Sequence, residues 1–63
     1  LVMVFGILVI SPSYSIREML ARYLTSEKMS VYTAGSVKVA LQMLGSLKIH
    51  AIISELDLED ASD

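Results

Sequence analysis

The stretch Gly6-Ile7-Leu8-Val9-Ile10-Ser11-Pro12-Ser13 constrains this chain more than any other. Four consecutive apolar residues show no polar alternation, so both faces of the run want to be buried. That is the pattern of a strand in the middle of a parallel sheet. Pro12 lacks the N–H that a ladder needs, so the strand ends by Ser11. An apolar strand of this kind needs partners on both sides and cover on both faces. The remaining sequence is read for elements that supply them.

The first strand is expected over residues 2–10, with Gly6 marking a bend or bulge. Ser15 and Glu18 have the S-x-x-E spacing of a capping box and predict a helix over 16–26. Ile16, Met19, Leu20, Tyr23 and Leu24 form one apolar stripe on it, and Arg17, Arg22 and Glu27 fall off the stripe. Val31-Tyr32-Thr33 is β-rich, and a second strand is expected over 29–33. Ser36 suits the N-cap of a second helix over 37–47. Its stripe is Val37, Ala40, Leu41 and Leu44, widened by Val39, Met43 and Leu47. Ala51-Ile52-Ile53 is a second unalternating run and gives a third strand over 50–54. Met3, Met19, Met29 and Met43 are read as core fillers.

Strand, helix, strand, helix, strand makes two βαβ units, an α/β class. If the chain reverses direction around the first strand, the spatial order is 2-1-3, with one helix on each face. The C-terminal ends of strands one and three then flank the switch point, where open α/β sheets place their chemistry.

The chain has 63 residues and no cysteine, so no disulfide or thiolate-held metal supplements its core. A domain this short buries only about 60% of its unfolded surface, and its stability is expected to be marginal. Five of the seven acids (Glu55, Asp57, Glu59, Asp60 and Asp63) lie in the last nine residues. Arg17, Arg22, Lys28, Lys38 and Lys48 are scattered, so no nucleic-acid surface is expected. Leu1 to Ile10 is too short to span a bilayer, which takes about 20 residues, and it lacks a basic leader region and a cleavage site. No membrane contact is expected, and the absence of cysteine fits a cytoplasmic location.

Known site chemistries find little support. Ser11, Ser13 and Ser15 lack the G-x-S-x-G context of a nucleophile elbow. The turn after strand one is neither G-x-G-x-x-G nor a Walker loop. His50 has no second histidine or cysteine to share a zinc ion. The acids at 57, 59, 60 and 63 lack the EF-hand spacing.

Ile7-Leu8-Val9-Ile10 followed by Ser15-Ile16-Arg17-Glu18-Met19-Leu20 resembles the opening of a response-regulator receiver domain. Val31-Tyr32-Thr33-Ala34 leading into Val39-Ala40-Leu41-Gln42-Met43-Leu44 resembles its next unit. Ala51-Ile52-Ile53-Ser54 and the tail can be laid on the same pattern without a gap from residue 7 onward. The similarity covers nearly the whole chain and about half of a receiver, whose flavodoxin-like sheet has the order 2-1-3-4-5.

The resemblance implies a phosphoacceptor position at Glu55 and an acidic-pair position at Ser11 and Pro12. Receivers use an aspartate at the first and acids at the second, which hold Mg²⁺ against the phosphoryl charge. Serine is a weak Mg²⁺ ligand and proline is none, so no cofactor is expected. Glu55 carries its carboxylate one methylene further out. It stands either as an imitation of a phospho-aspartate or as a turn carboxylate without a role. The resemblance therefore implies a non-enzymatic pseudo-receiver of a two-component or phosphorelay system. Its partners would be proteins, such as a histidine kinase or an output domain. A homodimer is also expected, because the third strand ends as a bare edge. Two alternatives stand beside this reading. One is a working phosphoacceptor using Asp57 or Glu55 with Mg²⁺. The other is a piece of a different doubly wound, nucleotide-binding protein.

Overall fold

The computed structural model describes residues 4–25 and 28–55. They form β1 (Phe5–Ile10), α1 (Tyr14–Leu24), β2 (Met29–Ala34), α2 (Val37–Leu44) and β3 (Ala51–Ser54). The sheet is three-stranded with the order β2-β1-β3, and both pairings are parallel. This is the expected α/β arrangement, a flavodoxin-like βαβαβ unit with its most apolar strand in the centre.

The register shows why β1 is apolar throughout. Leu8 stands beside Tyr32 and Ile52, and Ile10 beside Ala34 and Ser54. On this face Leu8, Ile10, Ala34 and Ala40 form the buried cluster, with Tyr32, Met43 and Ile49 packed against it. Ala40 and Met43 bring α2 onto the sheet here. Successive strand residues point to opposite faces, so Ile7 and Val9 look the other way. They are buried as well, beneath α1, which packs on β1 and β2.

Several predicted edges move: β1 begins at Phe5, β2 runs on to Ala34, β3 begins at Ala51, and both helices shift. The first helix begins at Tyr14, and its N-cap is Ser13, whose hydroxyl accepts from the Ile16 N–H at 3.3 Å. The Ser15–Glu18 capping box therefore does not form. Ser13 is preferred because its own N–H donates to Ser11 Oγ at 3.1 Å, which fixes the turn around Pro12 and delivers the cap two residues early. At the other end the Thr25 N–H donates to the Ala21 carbonyl at 3.0 Å. The second helix is capped by Ser36 as expected but stops at Leu44, and Gly45 to Leu47 close it as a turn onto Leu41 and Met43. Residues 2 and 3, at the predicted start of β1, lie outside the described residues.

The helix faces are also corrected. Leu20 and Leu24 of the α1 stripe face inward, together with Arg17 and Ala21. Ile16, Met19 and Tyr23 are turned to the exposed side. Met19 is therefore not a core filler. On α2 the inward residues are Ala40 and Met43, whereas Val39, Leu41 and Leu44 are exposed. Neither helix packs extensively on β3, and Ile52 and Ile53 on its two faces are 49 and 39% exposed.

His50 has a structural role. Its backbone N–H donates to the Gly6 carbonyl at 2.8 Å, and its Nδ1 accepts from the Gly6 N–H at 2.9 Å. The imidazole thus supplies one further rung between β1 and the chain entering β3. Phe5 stacks on the same ring, with centroids 5.1 Å apart. The rung fits only because residue 6 has no side chain: a Cβ there would lie 2.2 Å from the Lys48 carbonyl oxygen. Gly6 is required for close approach, since no glycine has positive φ among the described residues.

Candidate functional site

The C-terminal end of the sheet is built by the residues that follow β1 and β3. The Ser11 N–H donates to the Ala34 carbonyl at 3.0 Å, carrying the ladder with β2 one step beyond the strand. The Glu55 N–H donates to the Ile10 carbonyl at 3.2 Å and does the same on the other side. Ser11 and Glu55 are 44 positions apart in sequence, and this pairing brings them side by side at the switch point.

Their side chains join there. Ser11 Oγ donates to Glu55 Oε1 at 2.5 Å, a short charge-assisted hydrogen bond. The same oxygen accepts from the Ser13 N–H. Ser11 is 1% exposed and Glu55 is half-buried. Glu55 is therefore held against the end of β1 and is not a free turn carboxylate. Pro12 lies in the same loop, exposed, and offers no donor.

Arg17 completes the cluster. Its Nη1 donates to the Ser11 carbonyl at 2.7 Å, and its guanidinium lies over the Tyr14 ring, 5.6 Å from the centroid. The same group packs on Gly35 at the end of β2, where a Cβ would come within 3.2 Å of Nη1. One side chain from the first turns of α1 thus ties together the ends of β1 and β2. Sequence reading places Arg17 off the apolar stripe and misses it. The available signal is its spacing: Arg17, Leu20, Ala21 and Leu24 follow i, i+3, i+4, i+7, the face that packs on the sheet.

This donor set does not fit Mg²⁺. The ion takes six oxygens in near-octahedral geometry at about 2.0–2.1 Å and depends on carboxylates. Here one carboxylate is present, and the neighbouring hydroxyl spends its proton on it. Pro12 adds no ligand. Among the described residues no three histidine, cysteine or acidic side chains group together. Ser11 is equally poorly placed as a nucleophile, because its hydroxyl is buried under the loop. Asp57, the alternative acceptor, lies outside the described residues.

No protein-family model, curated protein or solved structure matches the chain. What the fold and site define is a class: an α/β chain with a parallel 2-1-3 sheet whose switch point is closed by a hydroxyl–carboxylate bond. No helix among the described residues is long and apolar enough to cross a membrane.

Proposed function

We propose that this chain is a receiver-like signalling module of the cytoplasm that is not phosphorylated and acts by binding another protein. The observation that carries this reading is the Ser11–Glu55 hydrogen bond at the switch point. In a working receiver this place holds a cation between acids and leaves a carboxylate open to an incoming phosphoryl group. Here the carboxylate at the end of β3 is already engaged, and its partner is a neutral hydroxyl. A negative group fixed at this position without phosphate is a constant signal, with protein contact as the output.

The test is intact mass after incubation with Mg²⁺ and a small-molecule phosphodonor. Circular dichroism first confirms that the chain is folded. The expected result is an unmodified mass. A phosphoryl adduct that maps to Glu55, and disappears in Glu55→Gln, would overturn the proposal. An adduct on Asp57 would establish the phosphoacceptor reading in its place.

A further inference from the structure

Helix α1 has more apolar surface than the sheet covers. Leu20, Ala21 and Leu24 turn inward, whereas Tyr14, Met19 and Tyr23 are 68, 59 and 86% exposed. With Ser15, Glu18 and Arg22 these three line a shallow groove of about 570 Å³ along the outer face. Residues four apart on a helix are neighbours along one edge. Glu18 and Arg22 therefore form one edge of this face. Met19 and Tyr23 form the other, about 100° further round the helix. Neither Glu18 nor Arg22 makes an ion pair with a described residue.

We propose that this face binds a second copy of the chain, α1 against α1, antiparallel about a twofold axis. In such an isologous contact residue i meets residue j of the partner and j meets i. An axis level with the middle of the helix, near Leu20 and Ala21, sets Glu18 against the partner's Arg22 and Arg22 against the partner's Glu18. The same axis sets Met19 against the partner's Tyr23, a thioether–aromatic contact, twice over. The two pairings centre on positions 20 and 21, about 1.5 Å apart along the helix, so an axis between them serves both edges. A parallel twofold would instead bring the Glu18–Arg22 edge of each copy against the Met19–Tyr23 edge of the other, charge against apolar surface. One acid and one base give the face no net sign, so neither an acidic nor a basic partner is favoured over the chain itself.

The contact extends over about two helical turns and falls below the roughly 1,200 Å² of a stable interface, so the dimer is weak. It supplies a partner for the protein-contact role proposed above, and it stands or falls separately. A phosphoryl adduct on Glu55 would refute that role and leave the helix pairing untouched.

Sedimentation equilibrium of the full chain, from micromolar to millimolar concentration, tests it. A monomer–dimer equilibrium is expected. Glu18→Arg or Arg22→Glu alone replaces two attractions by two repulsions and should weaken dimerisation about tenfold, given the modest worth of exposed pairs. The double variant E18R/R22E should restore it. In the wild-type protein, amide shifts on dilution should map to residues 15, 18, 19, 22 and 23, which gives the answer even if a variant fails to fold. A monomer at every concentration would overturn the proposal. So would a dimer indifferent to these reversals, with dilution shifts along β3, lost in Ile52→Lys.

Discussion

Gly6→Ala is expected to cost the chain a large share of its stability and to lower its melting temperature sharply. The new Cβ would lie 2.2 Å from the Lys48 carbonyl oxygen, which is backbone and cannot rotate away. Relief requires moving the chain that enters β3, and that motion breaks the two bonds between Gly6 and His50. Overpacking of this kind costs about 3 kcal/mol when the backbone itself must shift. Stabilities of roughly 0.05–0.15 kcal/mol per residue give a chain of this size about 3–9 kcal/mol in all. The other glycines are internal controls. At Gly35 the nearest group is the end of the flexible Arg17 side chain, 3.2 Å away. At Gly45 the nearest atom is 3.5 Å away, an ordinary contact. Thermal melts should rank the alanine variants Gly45 most stable, Gly35 next and Gly6 far below.

Ser11→Asp is expected to be the most damaging change at the switch point. Ser11 is 1% exposed, and its hydroxyl gives its proton to Glu55. A carboxylate there faces a second carboxylate with no proton between them, while Arg17 remains bound to the backbone carbonyl of residue 11. An uncompensated buried charge costs about 3–5 kcal/mol. Ser11→Ala removes the donor without adding a charge and should cost only about 1–3 kcal/mol. The acidic pair that the substitution creates is also a cation site. Millimolar Mg²⁺ should therefore raise the melting temperature of Ser11→Asp and leave that of Ser11→Ala unchanged. Equal losses in the two variants would mean that the added charge is accommodated at no cost, and an unchanged melt of Ser11→Ala would mean that the Ser11–Glu55 bond contributes little.

The central strand was legible because its signal is redundant. Ile7 to Ile10 lack alternation, Pro12 stops the ladder, and both predicted partner strands flank β1 in register. The start of α1 was less legible because Ser13 and Ser15 can each cap a helix. The choice falls to a tertiary contact, the Ser13 N–H on Ser11 Oγ, that no local pattern records. The facing of α1 was hidden for a related reason. Leu20 and Leu24 belong to two overlapping apolar stripes, one continued by Met19 and Tyr23 and the other by Arg17 and Ala21. The Arg17 bond to the Ser11 carbonyl holds the helix with the second stripe inward. Periodicity treats arginine as a surface residue and favours the first.

The site itself was legible only in part. Ser11 and Glu55 fell at one place through the family resemblance and the strand order. Their hydrogen bond joins residues 44 positions apart and follows from the register of β3 on β1. Spacing in the sequence carries no trace of it. Arg17 and Gly35 went unnoticed because one looks like a solvated charge and the other like an ordinary turn.

The most direct test of the closed switch point is a Mg²⁺ titration of the wild-type chain, followed through the amide resonances of Ser11, Ser13 and Glu55. If the Ser11 hydroxyl holds the Glu55 carboxylate, these resonances stay in place through millimolar Mg²⁺. Saturable shifts centred on the three amides would show that the carboxylate is free to take a cation, and would contradict the account.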